Sequence, residues 1–419
     1  MLGKSPDQSQ LDLFRANLRQ IIDLKHPLVQ LAQAIDWPSL EQEFSPLYAK
    51  VGLPAHPVRK MAGLLLLKHS YNLSDELLVQ RWRENPYMQY FCGEAFFQKK
   101  QPCAASDLPH FRKRLGEQGI EKLFQLTLQL HAGKLRRAKA LLVDTTVQEK
   151  NITYPTDAKL YKKIIHRVGS WAKKLGVKLR QSYKRITARL SFQATRSHLK
   201  KSAKQAGKAL RKLKTIAGRQ VRDITRKLEK LGKLNTYQPI LERMQRILAQ
   251  KRTDKHKIYS LHESAVSCIA KGKAHKRYEF GTKVSVATLP GSNLILSVQA
   301  LQGNPHDGKT LAGALQQAQR LSGKQFTRLI VDKGYRGHGL SQQQVILPGK
   351  KQHSSPYARM RHKKHCKSRS AIEAVISHLK NAHRMGRNYL KGTLGDTLNA
   401  LLAATGFNLN LWMRGMTTE

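Results

Sequence analysis

The 419-residue sequence predicts an α/β protein: a helical N-terminal region, then a core of strands and helices into which a long basic helical segment is set. Three observations carry this. First, "LLVDTT" (141–146) and "LIVDKG" (329–334) are short apolar runs that each end in one Asp and then turn, the pattern of a buried strand. Second, residues 10 to about 135 carry apolar residues at helical spacing. Third, residues 158–222 hold 21 Lys and Arg and no Asp or Glu, with Leu, Ile and Val every three to four positions.

The length allows two or three domains, each with its own core. A hydrophobic share of 40% is ordinary for a globular protein, but 76 Lys+Arg against 27 Asp+Glu gives a net charge of +49. Self-repulsion on that scale calls for a polyanion, and nucleic acid is the leading partner. Cys92, Cys103, Cys268 and Cys366 show neither CxxC pairing nor zinc-ligand spacing and read as free thiols in a reducing compartment. "LLLL" at 64–67 is too short to span a membrane, and "MLGKSPDQSQ" lacks the apolar core of a signal peptide. A soluble cytoplasmic protein, placed on the nucleoid if it binds DNA, is the expectation.

In chain order, "SDELLVQRWRENPYMQYFCG" (74–93) opens with a cap-like Ser and continues at helical spacing. "SDLPHFRKRLGEQGIEKLFQLTLQL" (106–130) repeats the pattern and clusters Arg112, Lys113 and Arg114 near one end. Helices with basic ends suit a helix-turn-helix type of DNA reader; a helical domain with a solvated basic face accounts for them equally well. "KALLVDTTVQEKNITYPTD" (139–157) is a β run followed by turn residues, and long basic amphipathic helices continue from it to about 250. Without acids, those helices lack the i,i+4 pairs that offset like-charge repulsion, which favours contact with a phosphate backbone over a merely solvated face. Residues 277–290 and 293–303 form a hairpin through Pro-Gly-Ser, and 306–323 a helix with Gly323 at its stop. Residues 325–337 give a buried strand ending in Asp332, and 343–349 a short strand; a basic loop, the helix of "RSAIEAVISHLKNAHRMGRN" (369–388) and a last helix over 397–413 follow. The domains predicted are 1–135, helical and DNA-binding; 136–156, the first core strand; 157–256, the basic helical insertion; and 257–419, the rest of the core.

Three acids stand out. Asp144 and Asp332 sit at matching strand ends, where ligands of open α/β sheets gather, although Asp is also common there as a turn former. Glu373 lies among Arg369, Lys380, Arg384 and Arg387. With Ser370 it matches a capping box; it also shares a polar helix face with Ser377, Lys380 and Arg384, beside the apolar stripe of Ile372, Val375, Ile376 and Leu379. Between Glu279 and Asp396 the acids are Asp307, Asp332 and Glu373 alone. Acids kept at such places in so basic a chain are candidates for a hard cation such as Mg²⁺. Two such ions about 4 Å apart serve phosphoryl transfer. Asp307, at a helix start beside His306, reads as an N-cap.

These residues resemble a known family. Asp144 in "VDTTVQEKNITYPTD", Asp332 in "VDKGYRG" and Glu373 in "AIEAVISHLK", with Lys380 seven positions on, resemble the Asp-Asp-Glu (DDE) triad of bacterial insertion-sequence transposases. "RWRENPYMQYFCGE", "FRKRLGEQG" and "GNPHDGKTL" are similar to the IS-five-like group, so the resemblance covers nearly the whole chain. It implies a ribonuclease-H-like mixed-sheet catalytic core with a helical N-terminal domain, the basic helices being an insertion after the first core strand. Many relatives carry their insertion between the last strand and the Glu helix; here the 41 positions from Asp332 to Glu373 leave no room for one.

The resemblance further implies a DNA transposase whose Asp144, Asp332 and Glu373 bind two Mg²⁺ ions, with Mn²⁺ able to substitute. It cuts the element's ends in double-stranded DNA and joins the 3′-OH ends to target DNA, acting as a homodimer or higher assembly on DNA. Lys380 would position a phosphate; an exposed ion pair is the plain alternative. Tyr335 and Arg336, just after Asp332, are candidate DNA contacts, as are Arg384 and Arg387, though packing or turn stabilisation serves Tyr335 and Arg336 equally well. The rivals are a metal-dependent nuclease of the same fold without strand transfer and a catalytically inactive basic nucleic-acid-binding protein.

Overall fold

The computed structural model describes residues 16–49, 51–52, 54–196, 200–270, 277–349 and 355–416. The N-terminal decapeptide and the first residues of the expected helical region lie outside them. The chain divides into two compact units, one of residues 1–149 and 283–419, the other of residues 150–282.

The first unit opens with α1 (Leu18–Ile21), α2 (Pro27–Ala34), α3 (Trp37–Phe44), α4 (Val58–Ser70), α5 (Asp75–Glu84), α6 (Pro86–Phe91), α7 (Asp107–Gln129) and α8 (Ala132–Leu135). Local chemistry sets their ends. Ser74 accepts a hydrogen bond from the Leu77 amide at 3.1 Å and caps α5. Pro86 disfavours helix at Asn85, so α5 stops there and Asn85 caps α6 through the Met88 amide at 3.0 Å. The helix expected over 106–130 bends at Gly116, where φ is 62°.

The strands are β1 (Ala140–Lys150), β2 (Ser267–Ala270), β3 (Tyr278–Thr288), β4 (Ile295–Leu301), β5 (Arg328–Ile330), β6 (Gln344–Ile346) and β7 (Arg387–Asn388). In the first unit the order is β4-β3-β1-β5-β6, with β7 on β1. β3 and β4 form the expected antiparallel hairpin, whereas β1, β5 and β6 run parallel; the sheet is therefore mixed. α13 (Asp307–Ser322) joins β4 to β5 and ends at Gly323, whose φ of 64° suits a left-handed stop. β5 is shorter than expected because the chain leaves it at Asp332 for a one-turn 3₁₀ helix, Lys333–Tyr335.

α14 (Pro356–Ser368), α15 (Ser370–Ala382) and α16 (Gly392–Met416) complete the unit. The basic loop expected ahead of the Glu373 helix is largely α14, started by Ser355, which accepts from the Ala358 amide at 3.2 Å. α16 starts five residues earlier than expected and packs on α4, α7 and β4. The N-terminal helices share one hydrophobic core with the sheet, from Leu18 through Leu64 and Phe124 to Leu401, so the domain expected over 1–135 is not a separate unit. α15 is tied to α4 reciprocally: His69 Nδ1 meets the His383 carbonyl at 3.2 Å and His383 Nδ1 the His69 carbonyl at 2.8 Å. Burial lowers the pKa of both, His383 to about 4.

Gly406 makes the α16–α4 approach possible, since a Cβ there would stand 2.6 Å from the His69 carbonyl carbon. Gly406→Ala is expected to cost about 1–3 kcal/mol, read as a lower urea midpoint at unchanged slope. A wild-type midpoint would show that the two helices part at no cost.

The second unit contains α9 (Asp157–Lys174), α10 (Lys184–Thr195), α11 (Ala203–Lys230) and α12 (Leu234–Ala249), packed around Ile164, Val168, Leu213, Ile224, Leu241 and Met244. The apolar stripe faces this core, and no described Lys or Arg of 158–222 is buried in it. The unit continues through β2 and the first residues of β3, so the boundary expected near 256 falls at Thr282.

Candidate active site

Strand alternation explains where the two aspartates go. Leu142 pairs with Ile330 across β1 and β5. With Ile346 these two pack under Ile372 of α15, on the face opposite the main core that holds Leu141, Val143, Leu329 and Val331. Asp144 lies two residues beyond Leu142, and Asp332 two beyond Ile330. A period of two therefore sends Asp144 toward the α15 side. Glu373 follows Ile372 on that helix.

The contacts go further than the sequence reading. Arg369, the residue between α14 and α15, has one guanidinium nitrogen 2.7 Å from Glu373 Oε1 and the other 3.5 Å from Asp144 Oδ2. Glu373 is not capping α15: Arg369 has helical φ and ψ, and the Ser370 hydroxyl donates to the Lys367 carbonyl at 2.9 Å. Helical continuity from α14 removes the free N-terminus that a capping box would serve. Asp144 also accepts from the Thr145 amide at 2.7 Å, and Asp332 from the Gly334 amide at 2.8 Å.

Asp307 is not the N-cap of α13. His306 takes that place, accepting from the Gly308 amide at 3.3 Å. The Asp307 carboxylate turns to the strand ends instead: its Oδ1 accepts from the Thr145 hydroxyl at 2.9 Å and pairs with Lys283 Nζ at 3.0 Å. Asp307 and Asp332 flank Gly334, whose missing Cβ would lie 3.2 Å from Asp307 Oδ2 and 3.0 Å from Asp332 Oδ1.

Two proposed DNA contacts are corrected. Tyr335 is fully buried and lies near enough to Asp144, Asp307 and Asp332 to feel their charges. Burial pushes its pKa up, and those three charges push it further. Arg112 is also buried, its guanidinium donating to both Asp75 oxygens at 2.9 and 2.7 Å. Neither side chain reaches a surface where DNA could lie. Lys113, Arg114, Arg336 and Arg387 are exposed, with Arg114 over the Tyr48 ring at 4.5 Å. Arg384 donates to the Asn72 carbonyl at 3.1 Å and helps hold the turn after α15. Lys380 is half-buried on α15, and its carbonyl accepts from the Gly386 amide at 3.1 Å.

Among the described residues, no group of three or more His, Cys, Asp or Glu side chains stands close enough to hold a metal ion. The expectation that Glu373 lies within a metal's width of both aspartates is not met, because the Arg369 guanidinium lies between Glu373 and Asp144. The donor chemistry nevertheless fits a hard cation, since every acid here offers carboxylate oxygen. Sequence reasoning missed Arg369 and Lys283. Arg369 had a local signal, its i,i+4 spacing to Glu373; Lys283 had none.

The fold is thus an α/β core whose mixed sheet brings carboxylates to adjacent parallel strand ends, with an acid on the helix across them. The chain belongs to the DDE transposases of insertion sequences: residues 16–114 match the family described as "Transposase domain (DUF772)" and 251–409 match "Transposase DDE domain". Asp307, Asp332, Glu373 and Lys380 fall inside the second match, Asp144 in neither. The chain is also similar to "Uncharacterized protein ORF8 in nfe locus" of Rhizobium meliloti, 44% identical over 200 residues, which are 47% of this chain and 97% of that protein. No solved structure is a significant match. Among the described residues, no helix is long and apolar enough to cross a membrane.

Proposed function

We propose that the chain is an insertion-sequence transposase, of the IS-five-like group, that binds the ends of its element, cuts there, and joins the freed 3′-OH ends to target DNA. The strand order β4-β3-β1-β5-β6 supports a ribonuclease-H-like core for this chemistry. The observation that carries the reading is the convergence of Asp144 and Glu373 on one cation, Arg369, beside the neighbouring strand end that bears Asp332.

In this reading Asp144, Asp332 and Glu373 would hold divalent cations, Mg²⁺ or Mn²⁺. Bound there, such ions supply activation of the attacking oxygen and charge stabilisation of the leaving one. Arg369 holds Asp144 and Glu373 until they are called on; once released, its planar fork matches a phosphate. Lys380, on the Glu373 helix, positions a second phosphate as a point charge. The basic helices add backbone contacts: Lys159, Lys162, Lys163, His166 and Arg167 line one shallow groove along α9, an arrangement suited to phosphates and blind to base sequence.

The DNA flanking the gene supplies the substrate. Short inverted repeats bracketed by a direct duplication are expected there, and a fragment carrying them, incubated with protein, Mg²⁺ and a target plasmid, should yield nicked ends and joined products. Cleavage without joining, even from a pre-cut 3′-OH end, would reduce the function to that of a nuclease. Binding with no Mg²⁺-dependent nicking would leave only a DNA-binding protein.

A further inference from the structure

Asp307 is the acid for which the DDE pattern has no place, yet the fold brings it to the same strand ends. Thr145 follows Asp144 and so faces the other side of the sheet, toward α13; its hydroxyl donates to Asp307 Oδ1 at 2.9 Å. Lys283 of β3 grips that same oxygen at 3.0 Å while donating to the Pro305 carbonyl at 2.7 Å. With Oδ1 held from two sides, Oδ2 is directed at Gly334, on whose other side stands Asp332 Oδ1. Any side chain at Gly334 would fill the gap between the two carboxylates.

A second observation points into this gap. Tyr335 is 0% exposed and its hydroxyl oxygen has no hydrogen-bond partner. The Thr310 hydroxyl stands beside it but spends its proton on the Asp307 carbonyl at 2.8 Å. A buried hydroxyl left unpaired is destabilising, and this one lies near enough to feel the charges of Asp144, Asp307 and Asp332 together. Like charges gathered this closely repel each other unless positive charge offsets them. Lys283 supplies it to Asp307 and Arg369 to Asp144, while Asp332 Oδ1 meets the Gly334 amide.

We infer that Asp307 is a fourth carboxylate of the metal site, offering Oδ2 beside Asp332 to a divalent cation while Thr145 and Lys283 orient it through Oδ1. This rests on the proposed metal chemistry of Asp144, Asp332 and Glu373. Lys283 is then a resident counter-ion that competes with the metal for Asp307. A purely structural Asp307 would need only the Oδ1 contacts, which Asn also accepts.

Mn²⁺ titration of the DNA-free full-length protein, with free Mn²⁺ followed by electron paramagnetic resonance, tests the inference without reference to activity. Asp307→Asn is expected to weaken Mn²⁺ binding about ten-fold or more with thermal unfolding unchanged, as is Asp332→Asn. Wild-type affinity in Asp307→Asn alongside weakened binding in Asp332→Asn would overturn the inference and leave the proposed site standing. Wild-type affinity in both would overturn the site itself and the inference with it. Should Asp307→Asn not fold, Lys283→Gln takes its place: tighter Mn²⁺ binding supports the competition, and unchanged or weaker binding overturns it.

Discussion

Asp332→Asn is expected to lower Mg²⁺-dependent cleavage of the element's ends by about a thousand-fold or more, roughly 4 kcal/mol of transition-state stabilisation, while end binding stays near wild type. The two effects separate for a structural reason. Asp332 opens the 3₁₀ turn by accepting from the Gly334 amide at 2.8 Å, and an Asn oxygen accepts the same bond, so the turn and buried Tyr335 survive. What is lost is one negative charge at the end of β5. DNA affinity rests mainly on Lys and Arg at phosphates, and removing an acid from a chain of net charge +49 does not diminish it. A gel shift run beside a cleavage assay on the same DNA reads both quantities. Undiminished cleavage would remove Asp332 from the mechanism.

The largest expected effect on stability lies far from the strand ends. Asp75, at the first turn of α5, meets Lys68 at 2.7 Å and both terminal nitrogens of Arg112, and all three side chains are largely buried. Burial raises the Asp75 pKa, but the Arg112 hydrogen bonds and the charges of Lys68 and Arg112 outweigh it and hold the group at about 2. Burial and the charge of Arg112 bring Lys68 down to about 8. Asp75→Ala leaves two buried cations facing each other and is expected to cost about 3–5 kcal/mol, seen as a lower urea midpoint. Replacing the triad together, with Asp75→Leu, Lys68→Met and Arg112→Met, should recover most of the loss, because no buried charge then lacks a partner. A triple variant no more stable than Asp75→Ala would show that the loss came from packing. The pH dependence has a definite sign: the Asp75 pKa is depressed on folding, so its contribution is complete above the ordinary value of 3.8 and is lost as pH falls toward 2.

Arg112 also shows how a local reading goes astray. "FRKR" looks like one basic cluster, yet Leu108, Arg112 and Leu115 recur at i, i+4 and i+7, which puts Arg112 on the apolar stripe and leaves Lys113 and Arg114 outside it. That signal was present and was outweighed by composition. The Ser370–Glu373 capping box failed differently. Its pattern is sound for a helix that begins at Ser370, but α14 precedes it with Arg369 already helical, and nothing in "HKKHCKSRS" marks that continuity. Tyr335 follows an Asp in a polar loop, and only the placement of α13 against that loop buries it.

Much of the fold rests on short-range rules and was legible. The Ser74 cap, the Asn85–Pro86 break, the β3–β4 hairpin and the Gly323 stop each follow from a few neighbouring residues. So do the two apolar runs that end in Asp144 and Asp332. Their side-by-side pairing is long-range, but matching strand-end patterns anticipated it.

By itself, then, the sequence determined most of the elements, a net charge of +49, and three of the acids of the candidate site, because period, capping and composition are local properties of the chain. Tertiary structure alone decided which charge meets which. It drew Asp307 away from its cap toward Thr145, Lys283 and Gly334, and it set Arg369 between Asp144 and Glu373. It also buried Arg112 on Asp75 and closed α13 over Tyr335. Those pairings join residues as far as 225 positions apart, and their strength depends on burial and distance, neither of which is written in the order of residues.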